Sequence, residues 1–195
     1  MAVDPDVVAS FAAGVRGVGE VVAGWTADDW ARPACGTWTG TELAGHLATV
    51  IGWYHDWLDR AEAGDAAPAF LAEELDAHTA SSLAALPAGT GPDRVADFTA
   101  RADGYGARLL SSWDLPYGYP RGTVTAGLHA ALASWEWHVH AWDLAAAVGR
   151  SYRPDGAAIL YARGVECFTR ATGIEVPDPS GDPWTALLRR AGRHA

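Results

Sequence analysis

The sequence predicts an all-α protein, an antiparallel four-helix bundle with short extra helices. Three observations predict it. Apolar residues recur near the 3.6-residue helical period in every long segment, Gly and Pro cluster between those segments, and no segment pairs period-two alternation with hairpin turn signals. At 195 residues the chain suits one domain, residues 1–195, with a substantial core, and is short for two.

The first helix is expected over Asp4–Gly24. Pro5 fits its first turn, Val7, Val8, Phe11, Val15, Val18 and Val22 recur at helical spacing, and Gly24 suits a C-cap. Trp25–Trp38 reads as a loop. Thr39-Gly40-Thr41-Glu42 matches a capping box and opens a second helix that runs to about Ala63. Residues 65–91 are rich in Ala, Gly and Pro, with a short crossing helix expected over Glu73–Leu86. A third helix fits Pro92–Trp113, and Asp114–Gly122 reads as a loop. A fourth helix fits Thr123–Val148, closed by Gly149. A fifth covers about Asp155–Thr172, the Pro-rich stretch Val176–Asp182 follows, and Trp184–Arg193 forms a last short helical piece.

Composition narrows the partners. The net charge of -10, with no basic run, repels nucleic acid. No stretch approaches the roughly 18 apolar residues of a membrane span. Acids at Asp4 and Asp6 stand where a secretory signal carries Lys or Arg, so a cytoplasmic protein is expected. Cys35 and Cys167 are too few for a disulfide framework and are expected as thiols. All 14 basic residues are Arg, with no Lys and no Asn, a bias that suits a GC-rich, actinobacterial type of genome. Ten tryptophans are a heavy load, most of them read as core or pocket lining.

Two segments can carry chemistry. In Leu43–Val50, His46 falls in the apolar stripe of Leu43, Val50, Trp53 and Trp57 and so faces inward. An inward His by itself is more often a hydrogen-bonded core residue than a ligand. In Trp135–Leu144, Glu136 and His140 are four apart and share one helix face, with Asp143 and His129 on it as well. A carboxylate buried beside imidazoles needs its charge compensated. A divalent cation between His46, Glu136 and His140 does this and leaves coordination positions open, as catalytic sites do. The other reading is a partly exposed Glu136–His140 pair with His46 elsewhere. Asp143 is either a surface acid or a group orienting His140. His138 lies off the face, His55 and His78 are expected in polar surroundings, and Cys35 is a small inert residue or a thiol near the site.

These residues resemble a known family. Gly36-Thr37-Trp38-Thr39-Gly40-Thr41-Glu42-Leu43-Ala44-Gly45-His46-Leu47, followed by Glu136-Trp137-His138-Val139-His140-Ala141-Trp142-Asp143-Leu144-Ala145, resembles the DinB-like superfamily. More narrowly it looks like the mycothiol-dependent maleylpyruvate isomerase family, and Asp182–Arg193 is similar to that family's short C-terminal signature. The resemblance implies an up-down-down-up bundle with zinc, or Ni2+ or Fe2+, on His46, Glu136 and His140. Within it, His129 and the run Trp135, Trp137 and Trp142 are peculiar to this chain.

The expected function is that of a metal-dependent enzyme. It would use a small thiol such as mycothiol as cosubstrate, for isomerisation or S-transfer on a small electrophilic molecule. Asp143 or His129 is the candidate proton carrier and Arg121 the candidate anchor for a substrate carboxylate. The alternatives are a metal-dependent hydrolase or lyase without thiol, and a non-catalytic binding or stress protein on the same bundle. Monomer and homodimer are both open.

Overall fold

The structure, a computed structural model, describes residues 2–176, 179 and 181–194. It is mostly helical. In chain order the described residues form α1 (Pro5–Val22), α2 (Ala27–Trp30), β1 (Pro33–Cys35), β2 (Trp38–Thr39), α3 (Gly40–Glu62), a 3-10 turn (Ala72–Glu74), α4 (Leu75–Ala84), α5 (Gly91–Ser112), β3 (Pro116–Tyr119), β4 (Gly122–Thr125), α6 (Ala126–Ala147), α7 (Ala157–Thr172) and α8 (Pro183–Arg190).

The four long helices α1, α3, α5 and α6 pack around one core, α1 chiefly on α6 and α3 chiefly on α5. Apolar positions drive this. Phe11, Val15 and Val18 of α1 meet Phe98, Tyr105, Trp137 and Leu144 in a continuous buried cluster. A second cluster, built on Val139, Leu160, Tyr161, Trp184 and Leu187, docks α7 and α8 on the outer side of α6. No helix among the described residues is long and apolar enough to cross a membrane.

Local chemistry sets the helix starts. Thr39 caps α3 in the expected box: Glu42 N donates to Thr39 Oγ1 at 3.3 Å, and Thr39 N donates to Glu42 Oε2 at 2.7 Å. Asp4 caps α1, Thr90 caps α5, Thr125 caps α6 and Asp182 caps α8, each through its side-chain oxygen. Gly24, in the left-handed region at φ +76°, lies just past the end of α1.

The structure corrects the sequence reading at two hairpins. β1 pairs antiparallel with β2, and β3 with β4. Both fall in stretches expected to be loops, because strands of two to four residues are too short to display an alternating pattern. The fourth long helix accordingly begins at Ala126, after Thr123–Thr125 have been spent in β4. The single-turn α2, with its Thr26–Asp29 capping box, also lies in a stretch read as loop. Part of the Pro-rich stretch 176–182 lies outside the described residues.

Candidate metal centre

Each hairpin leads directly into a helix that carries site residues. β2 runs into α3, which presents His46 on its second turn, and β4 runs into α6, which presents Glu136 and His140. The two helices bring three groups together across 90 residues of sequence. His46 Nε2 lies 3.2 Å from Glu136 Oε1, His140 Nε2 lies 4.0 Å from that same oxygen, and the two imidazole rings meet edge to face at 5.1 Å. One ligating atom from each of the three lies within 4.8 Å of the others. Both histidines are buried, while 28% of the Glu136 side chain is open, toward an adjoining cavity.

Neighbouring groups fix this arrangement. Tyr54, two steps of four residues beyond His46 on α3, donates from its hydroxyl to Glu136 Oε2 at 2.9 Å. That leaves Oε1 facing the imidazoles. Asp143 Oδ2 takes the Nδ1 side of His140 at 2.9 Å, so the ring holds its proton there and turns the Nε2 lone pair toward Glu136. Arg193, just past α8, donates to both oxygens of Asp143, at 3.0 Å from Nε and 2.5 Å from a terminal nitrogen. The Trp38 ring of β2 covers His46 at 4.9 Å.

The electrostatics follow from burial set against these partners. Burial disfavours the Glu136 charge, yet the His46 hydrogen bond and charge, His140 and the Tyr54 hydroxyl outweigh it and hold the carboxyl down to about 2. Burial likewise opposes the Asp143 charge and is overcome by His140 and Arg193. Burial lowers the His140 pKa despite Asp143. The Cys35 thiol is pushed up, first by burial and then by Asp143, so it stays protonated.

The donor set suits a divalent metal. A lone pair on His140 Nε2 and an anionic oxygen on Glu136 face each other at 4.0 Å, an opposition that a cation between them resolves. Ligands at about 2.1 Å in tetrahedral array stand roughly 3.4 Å apart, comparable to the separations of 3.2 and 4.0 Å here. Two imidazoles with one carboxylate suit zinc or a neighbouring transition metal. A second group, Cys35 with His140 and Asp143, also lies within 4.8 Å. There the Arg193 guanidinium already supplies the positive charge, 3.3 Å from Cys35 Sγ and in contact with Asp143.

Beside the triad lies a cavity of about 590 Å³. Its walls are Trp38, Val50, Trp53, Trp57, Leu132 and Trp135, with Leu75, Thr79 and Leu83 of α4 along one side and Tyr119–Arg121 of the second hairpin at an edge. Arg121 is exposed there. No family model, no curated protein and no solved structure matches this chain.

The other histidines separate cleanly. His129 lies on the same cavity, buried among aromatic rings, and belongs to neither ligand group among the described residues. His138 donates from Nε2 to Ser10 O at 3.2 Å and accepts from the Tyr152 hydroxyl at 2.6 Å, a structural tie from α6 to α1. His55 bridges to Arg101 O and Arg108. His78 corrects the expectation of polar surroundings: it stacks on Phe70 at 4.0 Å and meets Trp53 at 4.8 Å. Sequence reasoning passed over Tyr54, Trp38 and Arg193. Tyr54 shares the inward side of α3 with His46 and was legible from spacing, whereas the contact of Arg193, 50 residues from Asp143, leaves no local signal.

Proposed function

We propose that the chain is a DinB-like metalloenzyme, with a divalent metal, zinc by donor chemistry, on His46, Glu136 and His140. In this reading a small thiol of the mycothiol type is its cosubstrate, and the reaction is isomerisation or S-transfer on a small electrophilic molecule. The observation that carries the reading is the convergence of three ligating atoms at the edge of a 590 Å³ cavity. Three protein ligands leave positions open to a ligand from that cavity, which distinguishes catalytic from structural sites.

When bound, the cation would lower the pKa of a thiol brought to it and so supply a nucleophilic sulfur at neutral pH. The chain's own residues prepare for this. Asp143 is a positioning group in this account: with one oxygen on His140 and both on Arg193, it orients an imidazole and is ill placed to carry protons. Tyr54 holds the Glu136 carboxylate from the other side. The tryptophan walls make the space beside the triad largely apolar. Arg121, at the cavity edge, is the anchor we assign to a substrate carboxylate.

A non-catalytic binding protein would be favoured by a fourth protein ligand closing the site. His129, the residue best placed on α6 to be one, lies outside the ligand group among the described residues.

The test has two stages. Metal content is measured on protein purified without a histidine tag, beside His46→Ala and Glu136→Ala. Near-stoichiometric metal in the wild type and loss in both variants is expected, and retention by both removes the site. Thiol consumption is then followed with a panel of electrophiles. Metal-dependent turnover without thiol would move the assignment to hydrolysis or a lyase reaction, and intact metal with no turnover of any kind to a binding role.

A further inference from the structure

α3 brings two groups to the centre. His46 is one, and Tyr54, eight residues further along the same inward face, is the other. The two oxygens of Glu136 have divided tasks between them. Oε2 accepts from the Tyr54 hydroxyl at 2.9 Å, while Oε1 faces the Nε2 atoms of His46 at 3.2 Å and His140 at 4.0 Å. An ionised carboxylate only accepts, so the phenol is the donor.

The phenol has little room to leave that oxygen. Tyr54 is 4% exposed. Its ring packs against Trp57, Trp137 and Tyr105 at 5.4, 5.6 and 6.0 Å, and its backbone carbonyl accepts from the Tyr117 hydroxyl. Turning away would strand a buried hydroxyl, which is costly. The carboxylate is thus anchored at one oxygen with the other turned to the imidazoles. Carboxylates take metal ions through one oxygen or through both. A second Glu136 oxygen on the cation would fill a position that a catalytic site leaves to water or substrate.

We propose that Tyr54 is a positioning residue that confines Glu136 to binding the cation through Oε1 alone, and so keeps a coordination position open toward the cavity. This rests on the metal centre proposed above and adds what determines its free position. The hydroxyl reaches the cation only through Glu136, and α3 thereby governs a ligand carried by α6.

The test is infrared difference spectroscopy of zinc-loaded against metal-free protein, together with the visible absorption of the cobalt(II) form, which reports coordination number. In wild type the antisymmetric and symmetric carboxylate stretches that respond to zinc should lie far apart, the mark of one-oxygen binding. Tyr54→Phe should bring the two bands together and weaken the cobalt absorption as a further position fills. The affinity of the cobalt form for 2-mercaptoethanol should drop severalfold, with metal content unchanged. Closely spaced bands in wild type overturn the proposal, and so do bands, absorption and thiol affinity that Tyr54→Phe leaves as they were. Either result leaves the metal centre standing. Should Tyr54→Phe fail to fold, the wild-type band spacing decides. Weaker metal retention in Tyr54→Phe with unchanged spectra would reveal a merely structural role and also overturn it. A wild type that takes up no metal, or takes it up equally after Glu136→Ala, removes the centre itself and the proposal with it.

Discussion

His140 and Asp143 stand one helical turn apart on α6, and their 2.9 Å hydrogen bond fixes which nitrogen of the imidazole faces Glu136. The bond is itself held from outside, because Arg193 occupies both oxygens of the carboxylate. Orientation of the His140 ring therefore depends on a chain of contacts running from the end of α8 to the triad.

Asp143→Asn keeps the shape and removes the charge that selects the His140 tautomer. Metal affinity should fall about 10- to 100-fold, as it does when such outer partners are lost. Competition against a chromogenic chelator reads this directly, and unchanged affinity would show that Asp143 does not position His140.

Arg193→Ala leaves the buried Asp143 without its cation, beside only the His140 ring and the Cys35 thiol. Asp143 is 3% exposed, so stripping its cation should destabilise the fold by about 3 kcal/mol, near the low end for a broken buried pair because Arg193 keeps some solvent contact. Urea unfolding with an unchanged m-value checks it.

Metal binding should couple to stability. Zinc at about 100 times its Kd adds roughly 2.7 kcal/mol to the unfolding free energy. Glu136→Gln, which removes the anionic ligand between His46 and His140, should abolish most of that increment. A melting temperature that rises equally in both proteins would place the zinc elsewhere.

Acid sensitivity should trace partly to His129. Its folded pKa of about 3 lies below the ordinary value of 6.5, so the unfolded chain takes up a proton that the folded one refuses. This group's contribution is intact above pH 6.5 and is lost progressively as the pH falls toward 3. Between pH 7 and pH 5 the loss should be about 2 kcal/mol at roughly 1.4 kcal/mol per pH unit. His129→Phe should lack that share when unfolding is compared at the two pH values.

Gly164 is the contact point of α7 on α6. A Cβ there would sit 2.1 Å from the Trp135 indole, whose N–H donates to Leu160 O at 2.5 Å. Gly164→Ala should therefore cost about 1–3 kcal/mol. Because Trp135 lines the cavity, the same substitution should also weaken binding of aromatic probes such as 2-naphthol.

Much of this architecture was legible in the sequence. The long helices follow from apolar periodicity, and the start of α3 from a capping box whose two bonds both form. His46, Glu136 and His140 were readable because a stripe position and an i,i+4 spacing are local properties, and the structure brings all three together. The hairpins were not readable, since strands this short are stabilised by packing: Tyr117 donates to Tyr54 O at 3.3 Å, and Thr123 donates to Ala66 O at 3.0 Å. Arg193 escaped for the same reason, its meaning lying in a partner 50 residues distant. Asp143, open in the sequence between a surface acid and an orienting group, is buried and bonded to His140.

The paired hairpins carry a consequence for how such a protein can change. Trp38 sits in one, and Tyr119 and Arg121 in the other, all three on the cavity, whereas His46, Glu136 and His140 sit on the helices behind them. New side chains at the hairpins can thus reshape the mouth of the cavity while the helices that carry the three candidate ligands stay as they are. Directed diversification confined to residues 33–39 and 116–125 is the economical route to altered selectivity in this chain.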